Sequence, residues 1–261
     1  MGLFDMFKKK EQPAASVSVT IEKARPVEIE VKQRTAGELP LADVDGYVGP
    51  SGGFVNYGRF CVAGMNASTG RKNTKRYEAQ TEADARAAAA ADGLSEPMTV
   101  KVEELPGPTE RQTDYALDLS AVLPAGACSD DVSAIISRIT DGDEAAPNPG
   151  LSRYAHACKV RFSRFVGADA LLGVMFHQMQ GADRATLYAY AVYLQERGGS
   201  FGDPRRLPVY SALHGFGEAA AVDPELMKSL DGRDVDDLRG PNRSSKIYKA
   251  AAAYLKEHGA I

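Results

Sequence analysis

The sequence predicts an α+β protein with a mostly antiparallel α+β unit first, then a small helical hairpin and an all-helical C-terminal domain. Two observations support this. Apolar and polar residues alternate in the first hundred positions, as in half-buried strands, whereas apolar residues recur at helical spacing after residue 109. Segments rich in Pro, Gly and acidic residues separate these regions. We therefore divide the chain into a flexible N-terminus (1–16), an α+β unit with ββ then ββαβ order (17–105), a helical hairpin (109–140) and a helical domain (151–261).

The N-terminal unit is predicted to contain five strands and one helix. "SVSVTIEKARPVEIEVKQR" alternates as two strands, and Pro26 places one of them at an edge or a strand start. "FVNYGRFCVAGM" and "KRYEAQ" form a hairpin across the turn "NASTG", followed by a helix from Thr81 to Gly93 and the strand "MTVKVEEL". This ββαβ order is similar to small modules that open bacterial secretion and pilus-assembly proteins.

The helical hairpin follows a break at Pro106-Gly107-Pro108. Thr109 with Gln112 makes a capping box, and the apolar residues of 132–139 are spaced as on one face of a second helix. This helix–extended loop–helix pattern resembles a SAP-type module, a small fold often found on DNA-binding proteins. DNA-binding members carry a basic pair before the second helix. Here that place reads Cys128-Ser129-Asp130-Asp131, so the resemblance does not imply DNA binding by this module.

The C-terminal domain is predicted to be all helical. Apolar residues from Leu151 to Phe165 form one stripe, and "ADALLGVMFHQMQ" is apolar nearly all round, which favours a buried helix. Asp183 is expected to cap the next helix, and the last helix is expected to run from a cap at Asn242 or Ser244 to Gly259. Three arginines are expected to lie opposite the apolar stripe: Arg153, Arg161 and Arg164.

Composition favours an ordinary soluble protein of the cytoplasm. The formal net charge is −4, and no segment is basic enough to indicate a nucleic-acid partner by itself. Three cysteines without a CxxC motif do not suggest a disulfide framework, and no apolar run is long enough to predict a membrane span. The N-terminal "LFDMFKKK" combines apolar and basic residues, as in a short helix that touches a membrane, but such a helix is too short to hold alone. We favour a frayed or loosely docked start, with membrane contact as the alternative.

A basic stretch at the predicted hairpin tip is the first candidate site. Its members are Arg71, Lys72, Lys75 and Arg76. The spacing from Gly64 to Lys72 is one residue too long for a phosphate-binding Walker A loop, and a strand follows where that loop needs a helix. Two interpretations stay open. The stretch contacts nucleic-acid phosphates, with Tyr57 or Tyr77 for stacking, or it is a solvated hairpin partly neutralised by nearby acids.

A second basic group surrounds the start of the last helix. Its members are Arg239, Arg243, Lys246 and Lys249. Basic residues in a first helical turn oppose the helix dipole, which suggests an acidic partner nearby. The alternative is that Asp234, Asp236 and Asp237 pair with these side chains.

Catalytic and metal-binding motifs are absent from the sequence. None of His156, His177, His214 and His258 has metal-ligand spacing, and no GxSxG motif occurs. We predict no cofactor and no catalytic residue, and the leading hypothesis is a multi-module binding or adaptor protein. Nucleic acid is the first partner to test and protein the second. The alternatives are a structural role and an enzyme of unrecognised class.

Overall fold

The computed structural model describes residues 39–44, 52–143 and 145–261, all within one compact unit, Gln33–Ile261. The two strands predicted between residues 17 and 31, and the loose start before them, lie outside the described residues. Within the described part the predicted α+β class is confirmed, because a three-stranded antiparallel sheet precedes a series of helices.

The sheet contains the predicted hairpin and the strand that follows the helix. Its strands are β1 (Gly58–Asn66), β2 (Lys72–Ala79) and β3 (Leu94–Glu103). β1 is central and pairs antiparallel with both neighbours, so that Cys61 lies between Arg76 and Lys101. The helix α1 (Glu82–Ala91) begins at Thr81, whose side chain accepts a hydrogen bond from the Asp84 amide, as predicted.

α1 covers one face of the sheet, and no second helix of the described residues packs on the opposite face. Phe60 and Val62 of β1 are buried against Ala85 and Ala89 of α1. Side chains alternate between the two faces of a strand, so the intervening residues of β1 point away from α1. The position of α1 thus determines which residues of each strand point away from it.

The helical hairpin contains both predicted helices. These are α2 (Glu110–Asp118) and α3 (Ser129–Thr140). The capping box of Thr109 and Gln112 is present in both directions, as predicted. Ala116, Val132 and Ile135 form a small core that also includes Phe165.

A buried carboxylate ties this hairpin to two distant segments. Asp131 is fully buried and accepts hydrogen bonds from the Phe54 amide (2.8 Å), the Cys128 amide (3.0 Å) and the Ser163 hydroxyl (2.6 Å). These donors are 77, 3 and 32 residues away in the chain. The sequence predicts Asp131 only as a residue at the start of a helix, whereas the structure makes it a junction of three segments.

The remaining helices surround one large core. They are α4 (Pro149–Ala157), α5 (Ala168–Gln178), α6 (Gly181–Arg197), α7 (Tyr210–Ala221), α8 (Pro224–Asp231), α9 (Asp236–Arg239) and α10 (Lys246–Glu257), with a 3-10 turn at Pro204–Arg206. The central α6 is apolar on most sides and packs against α7 and α10. Leu187, Leu213 and Ile247 are completely buried there. No helix in the described ranges is long and apolar enough to cross a membrane.

The predicted helix from Leu151 to Phe165 is wrong beyond residue 157. The chain leaves the helix at Cys158, and Lys159 has a left-handed backbone (φ 61°). The Asn56 side chain then holds the next segment, donating to the Val160 carbonyl at 2.9 Å and accepting from the Phe162 amide at 2.9 Å. Because these bonds use the backbone groups that a helix would need, the segment runs outside α4, and Arg161 and Arg164 are not on a helix.

Two predicted helix caps are also wrong. α6 begins at Gly181, so Asp183 lies within its first turn, where its charge complements the helix dipole. α10 is capped by Ser245, whose hydroxyl accepts from the Tyr248 amide at 3.2 Å, while Asn242 instead accepts from the Ser244 amide. In both cases the polar residue lies within three positions of the true cap, a distance that sequence pattern alone does not resolve.

Candidate nucleic-acid interface

The side of the sheet opposite α1, which no other described helix covers, is the best candidate for a binding surface. We call it the open sheet face and define it by the residues that alternate away from α1: Arg59, Cys61, Ala63, Lys72, Thr74, Arg76, Glu78, Thr99, Lys101 and Glu103. It holds four bases and two acids, which gives it a net positive charge. The strand pairing, and not proximity in sequence, assembles this set from three strands.

The bases of the open sheet face have a fixed spacing. Lys72 and Arg76 are four residues apart on β2, which is about 14 Å along a strand. Arg76 and Lys101 flank Cys61 on opposite sides, so their strands are about 10 Å apart. A flat surface of this size spans several phosphates of a nucleic-acid backbone.

Ion pairs occupy part of this face. Arg76 Nε lies 2.7 Å from Glu103 Oε2, and this hydrogen bond holds the pKa of Glu103 below its ordinary value. Arg76 is nevertheless 63% exposed. Lys72 and Lys101 have no ion pair with any residue that the structure describes, and both are exposed. The face therefore has cationic side chains that are not neutralised within the described chain.

Arg161 extends the positive charge at one end of the face. Its guanidinium lies 2.8 Å from Glu78 of β2 and 5.9 Å from the centre of the Tyr57 ring. The neighbouring Lys159 pairs with Asp84 of α1 at 2.9 Å. The segment after α4 is thus fastened to the ββαβ unit by contacts that neutralise two of its acids.

The four predicted bases of the hairpin do not form one patch. Arg71 lies in the turn, which Asn66 closes by accepting from the Ser68 and Thr69 amides, and Lys72 and Arg76 lie on the open sheet face. Lys75 points to the α1 side, where its ammonium lies 3.1 Å from Asp92 and lowers the pKa of that carboxyl.

The two tyrosines predicted for stacking are not available on the open sheet face. Tyr57 is buried, and its hydroxyl hydrogen-bonds to Asp130. Tyr77 lies on the α1 side of β2 and donates to Asp92 at 3.1 Å. Burial and this hydrogen bond raise its pKa to about 12. The prediction that Tyr57 or Tyr77 stacks on bases is therefore not supported by their placement.

Arg59 and Lys101 were missed by the sequence analysis. Each alternates with apolar residues of its strand that are buried or half-buried, a signal that places it on the opposite side of the sheet from α1. What the alternation does not give is the strand register, and only the register brings these two residues beside Arg76.

Most members of the second basic group form ion pairs with acids of the same chain. Arg239 contacts Asp236 at 3.1 Å and Asp169 at 3.2 Å, and Arg243 contacts Glu196 at 3.0 Å. Lys246 lies 3.6 Å from Glu225, while Lys249 is exposed without an ion pair in the described part of the chain.

Of the three acids predicted to pair with this basic group, only one does so. Asp236 does contact Arg239, but Asp237 pairs with Arg233 at 3.1 Å, and Asp234 accepts from the Asp236 amide at 2.9 Å. The other acidic partners come from α5, α6 and α8, which adjacency in sequence does not reveal.

The histidines, cysteines and acids of the described ranges do not form a metal site. No cluster of three or more His, Cys, Asp or Glu side chains there is placed to hold a metal ion. His156 lies against Asn56, with its Nδ1 3.2 Å from the amide nitrogen. Burial raises the pKa of the Cys128 thiol to about 12 and that of the Cys158 thiol to about 11, so neither is an activated nucleophile.

Comparisons with protein-family models, with curated proteins and with solved structures return no match for this chain. The resemblance of residues 109–140 to a SAP-type module therefore stays a prediction.

Proposed function

We propose that this protein is a binding or adaptor protein that contacts nucleic-acid phosphates through the open sheet face and the adjacent turn. The observation that carries the proposal is the exposure of Lys72 and Lys101, which have no acidic partner among the described residues and share the face with Arg59 and Arg76. Arg71 adds a further exposed base at the turn. Lysine and arginine side chains at this spacing suit a polyanion.

The chemistry of the face favours contacts that do not depend on base sequence. Its members are bases, acids, threonines, Cys61 and Ala63, without an aromatic ring for stacking. Long basic side chains on a solvent-facing strand position a backbone, whereas reading of base edges needs a helix or ribbon seated in a groove. The proposal therefore expects similar affinity for unrelated sequences. It places the protein in the cytoplasm, which its three unpaired cysteines support.

The test compares two pairs of lysines in the full chain. Lys72→Gln with Lys101→Gln removes two charges from the open sheet face. Lys228→Gln with Lys256→Gln removes two exposed lysines of α8 and α10 that likewise lack an ion pair among the described residues. Fluorescence anisotropy with a labelled single strand and a labelled duplex, each in two unrelated sequences, measures the dissociation constant at about 0.1 M salt.

We expect the face variant to bind on the order of tenfold more weakly for each lost phosphate contact, and the control variant to bind like wild type. A second comparison uses one strand: Lys72→Gln should weaken binding more than Lys75→Gln, because Lys75 points to the α1 side. Equal losses in the face and control variants, or no binding by wild type at low salt, would refute the proposal.

A further inference from the structure

The helical hairpin carries a groove that the nucleic-acid proposal does not use. A cavity of about 600 Å³ lies along α2 and reaches Ile136 of α3. Its lining includes Glu110, Arg111, Asp114, Tyr115, Asp118 and Ile136. We call this cavity the hairpin groove.

The helical hairpin has several exposed apolar side chains, and one of them lines this groove. Tyr115, Leu117 and Val122 are 47%, 62% and 53% exposed, and they are three of the six large hydrophobic residues that are exposed in the described ranges. Single exposed apolar residues are ordinary, and of these three only Tyr115 lines the groove, together with the half-buried Ile136. An exposed aromatic ring in a groove favours contact with another protein.

The same helix is acidic along one side. Glu110, Asp114 and Asp118 follow one another at intervals of four residues, so they lie on one face of α2 and repel each other. None of the three has an ion pair with a residue that the structure describes, and Arg111 is the basic residue of the groove.

The position of Asp118 adds a second cost. Asp118 ends α2, where the partial negative charge of the helix dipole disfavours a carboxylate, and the last turn contains no basic residue to offset it. A cationic partner relieves both the mutual repulsion and the dipole conflict.

We infer that the hairpin groove docks a basic amphipathic helix of a partner protein. The apolar side of that helix packs on Tyr115 and Ile136, and its lysine or arginine side chains meet Asp114 and Asp118. α2 has nine residues and is about 14 Å long, which matches two to three turns of a docked helix. The acidic charge disfavours a nucleic-acid ligand here, so this surface is distinct from the open sheet face.

The experiment uses the full chain and a synthetic probe. The probe is a labelled peptide of about 14 residues, with leucine and lysine at helical spacing. Fluorescence anisotropy compares the wild type with the groove variant, Asp114→Asn/Asp118→Asn, and with a control variant, Glu218→Gln/Glu257→Gln. The two control acids are exposed, on α7 and in the last turn of α10, and have no ion pair in the described chain. A peptide of leucine and glutamate with the same spacing controls for apolar binding alone. Urea unfolding checks that each variant is at least as stable as wild type, and the groove variant should be slightly more stable because its like charges are removed.

We expect the groove variant to bind the leucine–lysine peptide about three- to tenfold more weakly than wild type, and the control variant to bind it equally well. The leucine–glutamate peptide should not bind. Equal affinity of the groove and control variants, equal binding of both peptides, or no binding to wild type would overturn the inference. Concentration-dependent dimers that are lost in Asp114→Asn/Asp118→Asn would also overturn it, because the occupant would then be a second copy. Nucleic-acid binding should be unimpaired by the groove variant, so this result can fail independently of the proposed function.

Discussion

Replacing Asp131 by alanine should be among the most damaging single changes to this fold. The carboxylate is fully buried and accepts three hydrogen bonds from the Phe54 amide, the Cys128 amide and the Ser163 hydroxyl. Each buried donor left without an acceptor costs about 1–3 kcal/mol. The variant also no longer has to bury a charged carboxylate, which offsets part of this loss. We therefore expect Asp131→Ala to lower the free energy of unfolding by about 3–5 kcal/mol.

Asp131→Asn separates the hydrogen bonds from the charge. The asparagine oxygen can keep both backbone amides, which share one carboxylate oxygen, Oδ2. The asparagine amide group would then face Ser163, whose hydroxyl must rotate and accept, although it already accepts from the Phe165 amide at 3.1 Å. One contact is therefore weakened and two remain, so we expect a loss of about 1–2 kcal/mol.

Urea unfolding followed by circular dichroism measures both losses. Asp114→Asn is the matched control, because that carboxylate is exposed and its loss should change the free energy of unfolding by no more than about 0.5 kcal/mol. A loss below about 1 kcal/mol for Asp131→Ala, or an Asn variant as unstable as the Ala variant, would refute this account of the three-segment junction.

Three further predictions concern the core, the ion pairs and the turn. Phe162→Ala should lower the free energy of unfolding by about 3–5 kcal/mol, because Phe162 is 4% exposed in the large core, and a urea titration showing a loss below about 1 kcal/mol would contradict this. The hydrogen bond from Arg205 lowers the pKa of Asp203, so the ionised form stabilises the fold above pH 3.8 and this contribution is lost as the pH falls through the lowered value. Asp203→Asn keeps a side-chain cap, so it should lower the free energy of unfolding by about 1 kcal/mol at pH 7 and by progressively less below pH 4. Urea titrations of wild type and variant measure this difference, and a difference that stays constant across this pH range would be inconsistent with the ion pair. ATP should not raise the melting temperature, because the turn from Asn66 to Arg71 leads into a strand and presents no helix N-terminus to a phosphate. A clear increase of the melting temperature with ATP would show that the turn is a nucleotide-binding loop.

Features set by neighbouring residues could be predicted from the sequence. The capping box of Thr109 and Gln112, the cap at Thr81 and the hairpin between β1 and β2 all depend on residues within a few positions of each other. The end of α4 could not be predicted in this way, since Asn56 fixes the following segment from 104 and 106 residues away. The apolar spacing continued through Phe165, so the pattern alone favoured a longer helix.

The residues of the candidate site were likewise only partly predictable, because long-range strand pairing brings them together. Adjacency in sequence grouped Lys75 with Lys72 and Arg76, but alternation along β2 places Lys75 beside Asp92 on the other side of the sheet. Lys101 joins the open sheet face because β3 pairs with β1, a long-range pairing that no local signal specifies.

The salt dependence of nucleic-acid binding tests the central claim most directly. Each phosphate contact contributes close to one unit to the slope of log affinity against log salt concentration, so the slope counts the contacts that a variant has lost. For Lys72→Gln/Lys101→Gln we expect a slope about two units shallower than that of wild type, and this change in slope should be the same for nucleic acids of unrelated sequence. Lys228→Gln/Lys256→Gln should keep the wild-type slope. An unchanged slope in the open-face variant, or an equal change in both variants, would contradict the claim that this face binds phosphates.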